Sequence, residues 1–280
     1  MRQRVLDRSV QEELDMARVR TTTLLKFKES GEKITALTAY DYPTAKLLDE
    51  AGLDIMLVGD SVGWVVQGRD DSLGVTMDMM VYHTSLVARA AERAMVVGDM
   101  PFMSYQVSAA EALRNAGRFI TEGGAQAIKL EGPADKFGDA IRAIVHAGIP
   151  VMGHLGFTPQ SVHQIGGYKI QGRGDEARER LKEEALGLEA AGCFAVVLEL
   201  VNADVAAEIT QALTIPTIGI GAGSGCDGQI LVVHDILGLG IRTKFSKVFG
   251  DAKSLMAKAF ADYVKEVKEG AFPTAEHEHR

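Results

Sequence analysis

Short apolar runs alternate along this chain with longer stretches of helical periodicity. The short runs fall at residues 34–38, 55–58, 94–97, 127–130, 151–152, 195–198, 217–220 and 230–233. Several are apolar at consecutive positions, the pattern of strands covered on both faces. The longer stretches, with apolar residues recurring every three or four positions, span 44–51, 77–91, 109–122, 135–147, 176–191 and 204–212. Ser108 and Asp175 stand where helix N-caps belong, and Gly52, Gly123, Gly148 and Gly192 stand just past helix ends. Strand and helix in strict alternation predict βα units and a parallel sheet. Eight such units close naturally into a (β/α)8 barrel. The eighth run is the least distinct, and an open doubly wound sheet is the alternative topology.

Two regions break the rhythm. Residues 1–20 form a charged arm with Val10 and Leu14 one helical turn apart, read as a surface helix that could serve a subunit contact. Residues 156–174 form a Gly-rich connection, and long ordered connections in compact domains are often functional. The reading is therefore an arm (1–20), a single catalytic domain (21–270) and a tail (271–280). Glu276-His277-Glu278-His279 in that tail is read as a disordered end rather than a metal site.

Bulk properties narrow the function. A length of 280 residues accommodates one barrel, and a hydrophobic content of 46% with 24% charged residues is that of a globular protein. The net charge of −8, with no basic stretch, argues against nucleic acid. No apolar run is long enough to span a bilayer, and the acidic, unapolar N-terminus lacks a signal core. Cys193 and Cys226 are too few for a disulfide framework, so a cytoplasmic location is expected.

The polar residues carry the chemistry. Nearly every run ends in one: Tyr40-Asp41, Asp60-Ser61, Asp99, Lys129 with Glu131, His154 and Glu199. In a barrel these ends meet at one mouth. Carboxylates gathered there repel one another unless protonated or bound to a cation, so a hard divalent ion such as Mg²⁺ is expected. Each residue also has a structural reading. Asp60 and Asp99 could cap helices, Lys129 and Glu131 could form an ion pair, Glu199 could be a satisfied structural acid, and His154 could be a core histidine. Glu199 ends the apolar run 195–198, where desolvation would favour a general-base role. The loop Gly223-Ser224-Gly225-Cys226-Asp227-Gly228 matches a dinucleotide fingerprint formally, but it follows a late strand and reads better as an anion loop or a tight turn. Nothing in the sequence activates Cys226 as a nucleophile.

With these ends in place, the chain resembles the ketopantoate hydroxymethyltransferase family from about residue 22 to 277. The resemblance rests on Leu37-Thr38-Ala39-Tyr40-Asp41, Val58-Gly59-Asp60-Ser61, Asp99-Met100-Pro101-Phe102-Met103 and Lys129-Leu130-Glu131-Gly132. Gly153-His154-Leu155-Gly156-Phe157-Thr158-Pro159-Gln160, Gly166-Gly167-Tyr168-Lys169 and Gly219-Ile220-Gly221-Ala222-Gly223 follow in order. It implies a TIM barrel of the phosphoenolpyruvate/pyruvate type, commonly a decamer. It implies hydroxymethyl transfer from 5,10-methylenetetrahydrofolate to 3-methyl-2-oxobutanoate through an enolate stabilised by Mg²⁺, giving ketopantoate for pantothenate synthesis. It maps Asp60, Asp99 and Glu131 onto the metal, Asp60, Ser61, Asp99 and Lys129 onto the 2-oxo acid, and Glu199 onto the proton acceptor. His154 and Asp41 receive no chemical step. The longer arm, Pro133 after Gly132 and Leu200 after Glu199 depart from the family pattern without removing a polar site residue. A carbon–carbon lyase of the isocitrate lyase type would need a Lys-Lys-Cys-Gly-His-like loop that the sequence lacks. A non-catalytic barrel would have lost the strand-end acids.

Overall fold

The structure, a computed structural model, describes residues 18–167, 169–241 and 243–279. The arm with Val10 and Leu14 therefore lies, but for its last three residues, outside the described residues, as does Tyr168. Two compact units are present, divided between Leu231 and Val232.

In the first unit eight parallel strands close a barrel in sequence order. They are β1 (Ile34–Thr38), β2 (Ile55–Val58), β3 (Met95–Asp99), β4 (Ala127–Lys129), β5 (Val151–Gly156), β6 (Ala195–Glu199), β7 (Thr217–Ile220) and β8 (Gly228–Leu231). Closure is made by β8 pairing with β1, Ile34 opposite Gly228. The open-sheet alternative is thereby excluded. Six of the expected helices appear within two residues of their anticipated bounds, at Tyr42–Glu50, Met77–Ala90, Ala109–Thr121, Ala134–His146, Asp175–Ala190 and Ala203–Ala212. Helices at Thr21–Ser30 and Val62–Val65 were not anticipated.

Period-two alternation explains the interior. Ile34 and Ala36, Ile55 and Leu57, Met95 and Val97, Ala127, Met152, Ala195 and Val197, Ile218 and Ile230 form one buried cluster inside the barrel. Successive inward positions lie two residues apart on a strand, so this cluster fills the lower layers. Val19 and Leu24 belong to the same cluster, which places the 21–30 helix against the N-terminal end of the barrel. Outward positions meet the helices. A Cβ on Gly98 would lie 2.3 Å from the Phe119 ring, so the glycine is what lets that aromatic ring lie against β3.

Several local expectations are corrected. Ser108 caps its helix, its hydroxyl accepting the Glu111 N–H, but Asp175 is the first helical residue and Gly174 the cap. An acid there still favours the positive end of the helix dipole. Gly52, Gly148 and Gly192 carry positive φ, whereas after the 109–121 helix that role falls to Gly124 instead of Gly123. The eighth strand begins two residues early, because Gly228 already pairs with both β1 and β7. β5 runs four residues further than its apolar run, since His154 and the glycines around it hide its C-terminal half.

In the second unit a helix spans Ala252–Glu269, and none of its residues is buried within the chain. In the tail, Ala275–His277 makes a 3-10 turn, with His277 Nδ1 2.8 Å from Thr274 Oγ1 and its ring 4.9 Å from that of Phe272. Among the described residues, no helix is long and apolar enough to cross a membrane.

Candidate active site

The inward alternation that stacks apolar residues below places ionisable ones above. Two residues beyond Val97 on β3 comes Asp99, and two beyond Ala127 on β4 comes Lys129. Two beyond Met152 on β5 comes His154, and two beyond Val197 on β6 comes Glu199. Glu131 continues the inward face of β4, and Asp60 with Ser61 follows β2. Asp60, Ser61, Asp99, Lys129, Glu131 and His154 are buried. The structure thus brings every expected site residue except Asp41 into one polar layer at the C-terminal mouth.

The layer is wired by specific contacts. Lys129 Nζ donates to Asp99 Oδ1 at 2.7 Å and lies 3.5 Å from Glu131 Oε1. Asp99 Oδ2 accepts the Asp60 N–H at 3.3 Å. His154 lies between two acids, with Nδ1 3.4 Å from Glu131 Oε1 and Nε2 3.3 Å from Glu199 Oε2. Neither ring nitrogen meets full hydrogen-bond geometry with its acid. Ser61 Oγ is 2.8 Å from Tyr40 Oη. Asp41 is a helix cap, its Oδ1 accepting the Thr44 N–H at 2.8 Å.

Burial and crowding set the protonation. Desolvation, then the charges of Asp99 and Glu131, push the Asp60 carboxyl up to about 8. Burial also raises Asp99, against the pull of Lys129. Glu131 resists its own burial, because Lys129, His154 and the Gln160 N–H hold it below the usual carboxylate range. The surrounding carboxylates overcome burial to hold Lys129 firmly protonated. Burial and Lys129 oppose charge on His154, yet Glu131 and Glu199 raise it to about 9.

Among the described residues no group of three or more His, Cys, Asp or Glu side chains is arranged to hold a metal ion. The oxygens of the three expected ligands are partly engaged: both of Asp99, by Lys129 and the Asp60 N–H, one of Asp60 by Gln160 and one of Glu131 by the Gln160 N–H. Mg²⁺ needs no closed cage, since it commonly takes one or two carboxylates and completes its shell with water or substrate oxygens. Asp60 is forced towards its neutral form by burial first and then by Asp99 and Glu131, and a divalent charge would relieve that repulsion.

Sequence reasoning missed Gln160 and Tyr105. Gln160 Nε2 donates to Asp60 Oδ2 at 3.0 Å and to the Met100 carbonyl at 2.9 Å. Its backbone N–H donates to Glu131 Oε2 at 3.0 Å, and its Oε1 accepts from Tyr105 Oη at 2.7 Å. A neutral glutamine in a turn carries no charge signature, and Tyr105 follows no strand end.

Local backbone devices aim Glu199. Leu200 adopts φ 50, the left-handed region, which turns the chain straight after the acid. Its carbonyl accepts the Gln171 N–H at 2.7 Å, and the Asn202 N–H donates back to Gln171 at 3.0 Å. The Gly-rich connection is thereby pinned to the end of β6, and it contains a 3-10 turn at Pro159–Ser161 and a short helix at Val162–Ile165. The other candidate loop is structural. Asp227 accepts from Lys28 Nζ and the Thr217 N–H, both at 2.8 Å, in the turn that joins β7 to β8. Cys226 is buried within it, and burial raises its thiol, which fits an inert residue.

Comparison with known proteins adds the relatives. The family model described as ketopantoate hydroxymethyltransferase matches residues 18–275. The 3-methyl-2-oxobutanoate hydroxymethyltransferase of Geobacter sulfurreducens is 57% identical over 254 residues, covering 90% of this chain and 95% of the relative. The protein of the same name from Desulforapulum autotrophicum is also 57% identical, covering 93% of this chain and 98% of the relative. Among solved structures, a phosphonopyruvate hydrolase superposes with a TM-score of 0.64 at 16% identity, covering 92% of each chain. A 2,3-dimethylmalate lyase, described as a PEP mutase/isocitrate lyase superfamily member, superposes at 0.59 with 17% identity, covering 93% of this chain and 91% of its own. At that identity the two structures speak for the barrel type alone, and they match the fold expected from the sequence.

Proposed function

Because the chain belongs to the ketopantoate hydroxymethyltransferase family, we propose that its buried polar mouth is the active site of a 3-methyl-2-oxobutanoate hydroxymethyltransferase. The reaction adds a hydroxymethyl group to 3-methyl-2-oxobutanoate and yields ketopantoate, the precursor of pantothenate. The observation that carries the site assignment is the meeting of Asp60, Asp99, Lys129, Glu131, His154 and Glu199 from five successive strands in one layer above an apolar barrel core.

Asp60, Asp99 and Glu131 would hold Mg²⁺, which supplies Lewis-acid charge that eases loss of the proton beside the ketone. Asp60, Ser61, Asp99 and Lys129 would line the 2-oxo acid. Lys129 stays cationic through its buried pairing with Asp99 and Glu131, so it presents fixed positive charge where negative charge develops on the keto oxygen. Glu199 would accept the proton, its carboxylate oriented by His154 on one side and by the left-handed turn at Leu200 behind it. The apolar layer beneath excludes water from the lower side of the reacting carbon.

The one-carbon donor in this reading is 5,10-methylenetetrahydrofolate, and water taken up at the end releases the hydroxymethyl product and tetrahydrofolate. A cavity of about 610 Å³ is lined by Gly132, next to Glu131 in sequence, and by Gly156, which stands opposite Glu199 on the β5–β6 ladder, and it offers polar groups at Thr158, Gln171, Arg180 and Glu184. Its size supports a second, larger substrate. A cytoplasmic homo-oligomer, of the decameric kind, is the setting we propose. Leu255, Phe260, Tyr263 and Val267 are exposed on the last helix, and such apolar exposure supports burial in an assembly.

The test is direct. The protein is incubated with 3-methyl-2-oxobutanoate, 5,10-methylenetetrahydrofolate and Mg²⁺, with and without chelator. Ketopantoate formed only with metal is the expected result, and no product in either tube overturns the assignment.

A further inference from the structure

Gln160 occupies a position that no strand-end argument assigns. It is 5% exposed and sits in the 3-10 turn Pro159–Ser161 after β5. Pro159 pre-sets the turn, and an N–H early in such a turn has no partner within it. The Gln160 N–H therefore points outward, and its acceptor is Glu131 Oε2 at 3.0 Å. From the same residue, Nε2 reaches Asp60 Oδ2 at 3.0 Å. One residue thus fixes an oxygen on each of two carboxylates that arrive from β2 and β4.

The orientation of the carboxamide is itself determined. A glutamine amide can face either way, but here Oε1 lies 2.7 Å from Tyr105 Oη and Nε2 lies 2.9 Å from the Met100 carbonyl. A carbonyl cannot donate, so Nε2 must face Met100 and Asp60. Tyr105 Oη in turn accepts the Glu131 N–H at 3.2 Å, and of the two acceptors within reach of its own proton, Gln160 Oε1 at 2.7 Å is nearer than the Glu131 carbonyl at 3.1 Å. The chain of contacts runs Glu131 N–H to Tyr105, Tyr105 to Gln160, and Gln160 to Asp60. Its two ends are the backbone of Glu131 and the carboxylate of Asp60, two of the residues proposed to hold the cation.

We propose that Gln160, oriented by Tyr105, is a positioning residue that sets the spacing and facing of Asp60 and Glu131 for the divalent cation and the chelating 2-oxo acid. The inference rests on the functional reading above. Outer contacts that orient metal ligands typically change metal affinity by 10–100-fold when removed. The role differs from space filling in a testable way, because it needs a donor at Nε2 and an acceptor at Oε1.

The experiment compares wild type, Gln160→Met, Gln160→Glu and Tyr105→Phe by calorimetric titration with Mg²⁺ and then with 3-methyl-2-oxobutanoate, without folate. Circular dichroism and the unfolding midpoint are recorded for each. Methionine keeps the volume but loses the side-chain bonds, and about 10-fold weaker Mg²⁺ binding is expected. Glutamate puts an acceptor oxygen against Asp60 and is expected to weaken Mg²⁺ further, beyond about 10-fold. Tyr105→Phe is expected to weaken it less than Gln160→Met, and the double variant Tyr105→Phe with Gln160→Met to add little to Gln160→Met alone. Folded variants that bind Mg²⁺ and the 2-oxo acid as wild type does overturn the proposal, as does Gln160→Met matching wild type while Gln160→Glu only lowers the midpoint. Wild-type protein that takes no Mg²⁺ overturns the metal reading beneath it, and is told apart because no variant is then involved.

Discussion

Lys129 and Asp99 form a buried ion pair, Nζ to Oδ1 at 2.7 Å, with side chains 4% and 3% exposed on adjacent strands β4 and β3. Register forces the pairing, because Asp99 stands opposite Lys129 in the parallel ladder. An isolated charge at that depth would be costly, so each partner depends on the other. Lys129→Met should leave Asp99, Glu131 and Asp60 facing one another with His154, beside Glu131, as the remaining positive charge. A loss of about 3–5 kcal/mol of unfolding free energy is expected from breaking such a pair. Denaturant unfolding checks this, and a metal-free variant as stable as wild type would show that the acids are relieved by protonation alone. Because Mg²⁺ offsets the same repulsion, the deficit should shrink when the ion is added.

Glu199 tests the division of labour between binding and proton transfer. It ends β6 opposite Gly156, and its carboxylate touches His154 but none of the three acids proposed for the metal. Glu199→Gln keeps shape and removes the proton acceptor. Binding of Mg²⁺ and of 3-methyl-2-oxobutanoate should be retained, while turnover falls by 10²–10⁴-fold, about the usual contribution of a positioned base. Calorimetry and steady-state rates separate the two, and near-normal turnover would assign the base elsewhere. The contrasting variant is Asp60→Ala, which should mainly weaken metal binding.

How much of this site the sequence discloses depends on the kind of signal each residue sends. Asp99, Lys129 and Glu199 are legible because each ends an apolar strand, where an ionisable side chain has little reason to sit unless the barrel mouth uses it. Asp41 sends the same signal and is a helix cap, since a strand end is also the start of the next helix. Gln160 sends none: it is neutral, lies in a turn, and gains its meaning only from carboxylates 29 and 100 residues away. β5 was read as two residues because period-two alternation between His154 and two glycines carries little apolar weight, and its full length was settled by pairing with β6. The last helix, Ala252–Glu269, escaped because charged and apolar positions are interleaved along it.

The protonation of Asp60 predicts how metal binding varies with pH. Its carboxyl is raised from an ordinary value of 3.8 to about 8, so the folded, metal-free protein holds a proton that the unfolded chain has already lost. The sign follows from linkage. This group favours unfolding increasingly as pH rises from about 4 to 8, and the effect is complete above about 8. A ligand carboxyl must release its proton to bind Mg²⁺. Apparent Mg²⁺ affinity, and the rise in unfolding midpoint that Mg²⁺ produces, should therefore grow from pH 6 to pH 8 and then level. Thermal unfolding at fixed Mg²⁺ across that range, with proton release followed in weak buffer, checks it. Affinity independent of pH would mean that Asp60 is already ionised in the free protein.

Gly156 predicts how tightly the base is held. It has φ 94, and a Cβ there would lie 2.2 Å from the Glu199 carbonyl oxygen and 2.7 Å from the Val201 side chain. The neighbouring Phe157 N–H donates to that same carbonyl at 2.8 Å, so neither strand can move without breaking the β5–β6 junction. Gly156→Ala must therefore both adopt a conformation that L-residues disfavour and push β6 aside. A destabilisation of about 1–3 kcal/mol is expected for strain of this type. The displaced backbone is that of Glu199, whereas Asp60, Asp99 and Glu131 arrive on other strands. Turnover should consequently fall more than Mg²⁺ affinity does, measured on protein held well below its unfolding midpoint. Equal losses in both would mean that the junction between β5 and β6 supports the whole polar layer rather than the base alone.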